Sequence, residues 1–275
     1  MMARLRLKGR SGPDARWRTR VAAAVSVFGV ALAATIWAAG RAGEPGAGAI
    51  RQFREAGRAY AEGRMPEAVR LYEDLARRGH GTMEVHFNLG NAYAGEGRIG
   101  DAVLSYRRAW RFAPRDPDAA ANLRVVQQAT GAAEPDFSGL EIVFTGASAR
   151  EWGAVALASW WALWTLLVLA ALLRRPRWWL VRGASIAGVA LVAGLLGLWT
   201  WRGFDRNPEM VVLRDTQNAL RAPQASATPD LALPEGSVVR ARESQGEWVR
   251  VTHGQLAGWI RRAACAPVLL EAPRN

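Results

Sequence analysis

The stretch GRIGDAVLSY, residues 97–106, repeats the skeleton of GRMPEAVRLY, residues 63–72, at an offset of 34 residues. Glycine, arginine, alanine, valine and tyrosine return at the same positions of both stretches. A fixed period of this length indicates a supersecondary unit that stacks on its own neighbours to bury its apolar face. The sequence therefore predicts an all-α repeat region built from pairs of helices.

The second copy, HFNLGNAYAGEGRIGDAVLSYRRAWRFAP at residues 86–114, resembles the tetratricopeptide repeat, a helix-turn-helix unit. The positions that match the pattern of that family are Leu89, Gly90, Tyr93, Gly97, Ala102, Tyr106, Ala109 and Pro114. The first copy matches at Gly63, Ala68 and Tyr72. The resemblance implies a domain over residues 50–129, with repeats at about 49–82 and 83–116 and a capping helix.

The resemblance also implies that the first helices of the repeats line a concave groove. The groove-facing positions hold Arg54, Asn88, Asn91 and Asn122. Because an asparagine amide can hydrogen-bond a peptide backbone, these residues are candidates for binding a partner. The alternative, that the asparagines only satisfy the local backbone, stays open. Two copies and a cap bury little apolar surface, so we expect support from a partner or from the membrane-proximal segment.

Three long runs carry no charged residue, at 21–39, 152–173 and 183–201. A helix of about 20 residues crosses the roughly 30 Å apolar core of a bilayer, so each run is long enough to span it. Ten of the thirteen tryptophans lie in or beside these runs, and tryptophan favours the headgroup layer. We predict three transmembrane helices, of which the first is an anchor or a signal peptide cleaved near 47–49. Core helices of a soluble protein are the less favoured alternative.

The net charge of +12 comes mainly from two short blocks beside these runs. Residues 1–20 hold seven basic residues and one acid, and residues 174–182 hold four arginines and no acid. Because basic segments next to membrane spans stay cytoplasmic, both blocks are predicted inside, with 41–151 and 202–275 outside. The charge therefore indicates a multi-pass protein of the inner (cytoplasmic) membrane and not a nucleic-acid surface.

Two short segments connect these predicted parts. Residues 130–151 link the repeats to the second apolar run, and residues 174–182 form the loop between the second and third runs. Ser148 and Glu151 stand three residues apart in the first of these segments. This is the spacing of a capping box, which predicts that the second transmembrane helix begins there.

The segment after the third run changes to a period of two. SVVRARE, EWVRVT and LAGWI alternate and are rich in β-branched or aromatic residues, with turn residues between them, which predicts a small all-β barrel. The order LRAP, LPEGSVVRA, EWVRVTHGQLAGWI resembles the bacterial SH3-like domain over residues 209–268. The resemblance implies core positions at Gly236, Trp248, Gly258 and Trp259. Members of that family bind wall peptides or hold proteins together.

No constellation of residues for catalysis is visible in the sequence. The histidines, His80, His86 and His253, are dispersed, and Cys265 is the single cysteine. The chain has no CxxC, HExxH, glycine-rich phosphate loop or nucleophile elbow. We therefore expect a protein that is not an enzyme, with no metal and no cofactor, and with Cys265 packed at the end of the barrel.

The order of the segments resembles the BatE-type aerotolerance proteins. The fold class that this implies is a multidomain membrane protein with all-α tetratricopeptide repeats, transmembrane helices and an SH3-like barrel. The resemblance implies an envelope scaffold that binds protein partners beside membrane-anchored von Willebrand-type proteins and a MoxR-type ATPase. Two alternatives stay open: a peptidoglycan-binding protein that recruits a wall enzyme, and an assembly factor for exported cytochromes.

Overall fold

The computed structural model describes residues 46–132, 139–172, 178–206 and 208–269. The basic amino-terminal block and the first apolar run, 21–39, lie outside these residues, and so does the predicted anchor or signal peptide. Residues 133–138 of the predicted linker and 174–177 of the predicted loop also lie outside them. The described residues belong to one compact unit.

Residues 46–132 form a helical module whose helices pack in chain order. Its helices are α1 (Ala47–Ala61), α2 (Met65–Leu75), α3 (Met83–Gly95), α4 (Ile99–Phe112) and α5 (Pro117–Thr130). The turns after α1 and α3 hold Gly63 and Gly97 at φ angles of 76° and 72°, a conformation that glycine adopts without steric cost. The sequence repeat therefore corresponds to two helical hairpins, α1–α2 and α3–α4, followed by α5.

The hairpins interlock because small residues on one helix receive aromatic rings from another. A Cβ atom on Gly90 of α3 would lie 2.7 Å from the ring of Tyr106 of α4, so the two helices approach closely only with glycine there. In the first hairpin, Tyr72 of α2 packs edge-on against Phe53 of α1, with ring centroids 5.7 Å apart. Both tyrosines are almost fully buried and form the centre of the module.

Two long helices follow the helical module after one short helix. The three are α6 (Leu140–Phe144), α7 (Ala149–Leu172) and α8 (Trp178–Arg206). The capping box at the start of α7 is confirmed. The Ser148 N–H donates to Glu151 Oε2 at 2.8 Å, and the Glu151 N–H donates to Ser148 Oγ at 3.3 Å.

The helices α7 and α8 are each long and apolar enough to cross a membrane. They pack against each other, and a Cβ atom on Gly194 of α8 would lie 2.8 Å from the backbone nitrogen of Ala156. Their outer faces carry exposed apolar side chains, among them Ile186 and Val189. An apolar surface of this kind suits contact with lipid rather than with water.

Residues 208–269 contain a seven-stranded antiparallel sheet. Its strands are β1 (Glu209–Val212), β2 (Gln217–Leu220), β3 (Pro229–Leu233), β4 (Val238–Gln245), β5 (Trp248–His253), β6 (Leu256–Arg261) and β7 (Cys265–Pro267). Their order across the sheet is β3-β2-β6-β5-β4-β1-β7. One face buries a cluster built around Val212, Val251 and Ile260.

The strand-rich region is an antiparallel sheet that does not close into the predicted small barrel, because the ladder ends at β3 and β7 and these two described strands do not pair. Pro267 in β7 has no N–H to donate to a further strand. The carbonyl oxygens of Pro267 and Val268 accept hydrogen bonds from the guanidinium of Arg108, at 3.0 and 3.1 Å. A helix of the same chain therefore covers the edge that would have to meet β3.

Candidate functional site

The outer face of α4 packs against the sheet, and this contact is called the junction below. At its centre, Arg107 Nη2 lies 2.6 Å from both carboxylate oxygens of Glu209 in β1. The two side chains are 3% and 0% exposed. Removing one partner of such a pair leaves a buried charge, so the contact between the two modules depends on both residues.

Close backbone approach completes the junction. The N–H of Gly100 in α4 donates to Glu235 Oε1 at 2.7 Å. A Cβ atom on Gly100 would collide with the backbone of Leu213, just after β1. Gly236 lies on the other side of this contact, where a Cβ atom would approach Val103 of α4 to 3.1 Å. The support that the short repeat array was expected to need therefore comes from the chain's own sheet.

An aromatic cluster connects the end of α8 to the same helix. The guanidinium of Arg107 lies 4.5 Å from the ring centroid of Trp110, and the Trp110 and Trp201 centroids are 5.8 Å apart. Trp201 also donates from Nε1 to the carbonyl oxygen of Ala147 at 3.0 Å. Because Trp201 belongs to α8, the membrane-length helix is held directly against the helical module.

A second charged contact ties α6 to the sheet beside this cluster. Arg240 of β4 donates to both carboxylate oxygens of Glu141 at 2.8 and 2.9 Å, and its guanidinium lies 5.3 Å from the Phe204 ring centroid. The helical module, the two long helices and the sheet therefore meet around one set of arginines and aromatic rings. Sequence reasoning missed these residues, because partners about a hundred positions apart leave no local pattern.

The four candidate groove residues have different environments. Arg54 is exposed on α1, whereas Asn88 and Asn91 of α3 and Asn122 of α5 are half-buried. Asn91 Oδ1 accepts hydrogen bonds from the hydroxyl of Tyr106 at 2.7 Å and from Asn122 Nδ2 at 2.9 Å. The structure thus brings Asn91 and Asn122 together in a contact within the module. Burial raises the pKa of Tyr106 to about 12, so its hydroxyl stays a donor.

In the first repeat, 34 residues earlier, no described side chain supplies the acceptor that Asn91 Oδ1 provides in the second. Subtracting 34 from Asn91, Tyr106 and Asn122 gives Gly57, Tyr72 and Asn88. The hydroxyl oxygen of Tyr72 lies 3.6 Å from where a Cβ atom on Gly57 would be. The ring of Tyr72 therefore occupies the position that corresponds to that of Tyr106. With no side chain at Gly57, Tyr72 and Asn88 retain their donors, and neither makes a side-chain hydrogen bond to the described part of the chain. The 34-residue period predicts that Asn88 lies beside Gly57 and Tyr72, and we call this position the acceptor gap.

The other predicted repeat positions lie in the helical module. Gly63 and Gly97 are exposed in turns, and Pro114 is half-buried after α4. The buried positions are Ala68, Tyr72, Leu89, Gly90, Tyr93, Ala102, Tyr106 and Ala109.

The predicted core positions of the sheet separate into two environments. Gly258 and Trp259 of β6 are buried, and a Cβ atom on Gly258 would lie 2.6 Å from Ala219 of β2. Trp248 at the start of β5 is half-buried, with the guanidinium of Arg261 5.4 Å from its ring centroid. Gly236 is buried and, as described above, faces α4 rather than the centre of the sheet.

Cys265 is buried at the start of β7, where its Sγ lies 3.9 Å from Met210 Sδ. Burial raises the pKa of the thiol to about 11, so it is neutral at pH 7 and is a weak nucleophile. Within the described ranges, no three His, Cys, Asp or Glu side chains gather as a metal site requires.

Comparison of the chain with protein-family models, with curated proteins and with solved structures finds no significant match.

Proposed function

We propose that the chain is a non-enzymatic, membrane-anchored scaffold whose helical module and sheet bind protein partners on the extracytoplasmic side of the inner membrane. The acceptor gap carries this proposal. An extended peptide presents backbone carbonyl oxygens, which are the acceptors that Tyr72 and Asn88 lack. A partner carbonyl would occupy the place that Asn91 Oδ1 fills one period later.

The junction supports a scaffold role because it joins the helical module to the sheet and to the long helices. The buried Arg107–Glu209 pair and the contact of Trp110 with Trp201 join the helical module to the sheet and to α8. A partner held in the groove would therefore be fixed relative to the long helices. Under this proposal α7 and α8 are transmembrane helices, and the basic residues 174–182, of which 178–182 form the start of α8, are cytoplasmic.

The proposal includes the resemblance of the chain to known protein families. The helical hairpins agree with tetratricopeptide repeats, and the strand-rich end agrees with an open form of the SH3-like domain. A BatE-type role in aerotolerance or envelope stress rests on the order of these parts along the sequence.

The test is cross-linking in living cells, followed by detergent extraction and mass spectrometry of the proteins that co-purify. The variants are Asn88→Ala and Tyr72→Phe, each of which removes one donor of the acceptor gap. Arg70→Gln, on the exposed face of α2, is the control. Loss of a membrane-anchored partner in both gap variants, with retention in the control, is the expected result. A set of partners that is the same in all variants would contradict the groove assignment.

A cavity on the sheet favours peptidoglycan binding as a second candidate. Its volume is about 570 Å³, and Arg108, Arg242 and Arg262 line it together with a single acid, Glu243. A basic cavity of this size suits the carboxylates of a wall peptide. Sedimentation with purified wall sacculi distinguishes the two functions. A wall binder pellets with the sacculi and loses this property in Arg242→Gln with Arg262→Gln, whereas a scaffold stays in solution.

A further inference from the structure

A second cavity, of about 300 Å³, lies where α3, α4, the start of α7 and the chain after β7 meet, and it shares Arg108 and Leu269 with the first. Three arginines line it, Arg108 and Arg111 from α4 and Arg150 from α7, and none of the described residues that line it is acidic. Glu151, which follows Arg150 in the sequence, is held by Ser148 in the capping box and forms an ion pair with Arg115. The described wall of the cavity is therefore rich in guanidinium groups.

A buried histidine without a hydrogen-bond partner lines this cavity. His86 of α3 is 0% exposed, and neither Nδ1 nor Nε2 has a hydrogen-bond partner among the described residues. Its ring stacks on Phe112, with centroids 5.9 Å apart and planes 18° apart, so its orientation is fixed. Buried polar atoms in native proteins normally have partners, so the ring nitrogens of His86 are available to a polar group in the cavity.

The charge state of His86 fits an anionic occupant. Burial, with a smaller contribution from Arg108, lowers the pKa of His86 to about 4, so the ring is neutral at pH 7. A neutral imidazole has one N–H donor and one acceptor nitrogen. The donor matches a phosphate oxygen, and a bound anion offsets the repulsion of the surrounding guanidinium groups.

The arginines are arranged to hold such a group. Arg108 is fixed by its hydrogen bonds to the carbonyl oxygens of Pro267 and Val268, which use two of its five N–H donors. Arg150 is exposed, and its guanidinium lies 5.9 Å from the ring centroid of Phe112. One arginine therefore forms a rigid wall of the cavity and the other stands at its mouth. Guanidinium groups are the preferred partners of phosphate because they donate paired hydrogen bonds.

The cavity also lies at the end of a membrane-length helix. Ser148, Ala149 and Arg150 line it, and α7 begins at Ala149. The short helix α6, which precedes this point, carries the exposed apolar residues Ile142 and Val143. In a membrane-anchored chain this part of the surface lies at the level of lipid headgroups, which carry phosphate.

We propose that this cavity is a phosphate-binding site, in which Arg108, Arg150 and His86 bind the phosphate of an anionic lipid headgroup or of a soluble phosphate compound. The proposal goes beyond the scaffold function, because it assigns a ligand to a face of the module that the acceptor gap does not include.

The experiment uses the full chain in detergent micelles with histidine labelled by ¹⁵N. The chain has three histidines, and His80→Gln and His253→Gln assign their signals. Inorganic phosphate and dihexanoyl-phosphatidylglycerol are titrated separately at constant ionic strength. The expected result is a saturable shift of the His86 signals, with those of His80 and His253 unchanged. Tighter binding of the lipid identifies a headgroup as the source, and tighter binding of inorganic phosphate identifies a soluble ligand.

Matched variants test whether the site is specific. Arg150→Gln removes one charge-assisted contact at an exposed position and is expected to weaken binding about tenfold. Arg124→Gln removes the same charge from the exposed face of α5 and is expected to leave the affinity within about twofold. The absence of a His86 response to both probes would overturn the proposal. Equal weakening by the two arginine variants would also overturn it, because the binding would then depend only on net charge.

Discussion

Arg107 and Glu209, 102 residues apart in the sequence, form a fully buried ion pair between the helical module and the first strand of the sheet. Trp110 of the same helix packs on Trp201 at the end of α8. One helix, α4, therefore contacts its hairpin partner α3, the sheet and the membrane-length helix α8.

Breaking the ion pair is expected to be costly. Arg107→Met leaves Glu209 buried without its partner, which lowers the free energy of unfolding by about 3–5 kcal/mol. The double variant Arg107→Met with Glu209→Leu is expected to lose much less, because neither charge of this pair remains buried. Denaturant unfolding of the full chain in detergent measures both values.

An exposed ion pair provides the control for this comparison. Arg221 and Asp230 are 3.0 Å apart, with side chains 70% and 37% exposed. Arg221→Met is expected to change the free energy of unfolding by at most about 1 kcal/mol. A similar cost for Arg107→Met and Arg221→Met would mean that the junction does not depend on the buried pair.

The asparagines of the groove are expected to differ in their effect on stability. Asn91→Ala removes the acceptor of Tyr106 and Asn122 and should destabilise the chain by about 1–3 kcal/mol. Asn88→Ala breaks no hydrogen bond within the described residues, so it should stay within about 0.5 kcal/mol of the parent. Thermal unfolding of the two variants side by side measures the difference. Equal losses would place Asn88 in an internal contact and remove it as a binding residue.

The local parts of the fold could be predicted from the sequence, whereas their contacts could not. The positions of Gly63 and Gly97 mark the turns, Ser148 and Glu151 mark the start of α7, and alternation marks the strands. The sheet does not close into the predicted small barrel, and Arg108, far away in the sequence, covers the edge of β7. The candidate groove residues were grouped by pattern alone. The distinction needs a comparison of Gly57 with Asn91, 34 residues later. Asn91 and Asn122 are hydrogen-bonded to each other, whereas Asn88 makes no side-chain hydrogen bond to the described residues.

The stability of the protein is expected to depend on pH through His86. Its pKa falls from 6.5 to about 4 on folding, so the unfolded chain binds the extra proton between these values. Stability is therefore highest above pH 6.5 and decreases as the pH falls to 4, by about 3 kcal/mol in total. The described charged groups that line the same cavity are Arg108, Arg111 and Arg150.

The variant His86→Phe keeps an aromatic ring against Phe112 and removes the titrating group. In phosphate-free buffer its free energy of unfolding should change less between pH 6.5 and 4 than that of the parent. The His253→Gln control should retain the slope of the parent. If His86→Phe also retains that slope, another group is responsible for the pH dependence.

The single cysteine reports the orientation of the chain in the membrane. Because burial raises the pKa of Cys265, an impermeant maleimide should label it slowly in the native protein and rapidly after mild unfolding. Under the proposed topology, the label is added only from the extracytoplasmic side of spheroplasts. Labelling that requires access to the cytoplasmic side of inverted vesicles would place the sheet inside the cell.

The most direct test of the groove proposal fills the acceptor gap from within. Gly57→Asn places an amide oxygen beside Tyr72 and Asn88, as Asn91 does for Tyr106 and Asn122, whereas Gly57→Ala adds a Cβ atom without an acceptor. The measurement is the amount of membrane-anchored partner cross-linked in living cells to each variant. We predict that Gly57→Asn loses the partner and that Gly57→Ala retains it. Retention of the partner by Gly57→Asn would contradict the claim that a peptide carbonyl binds in the groove.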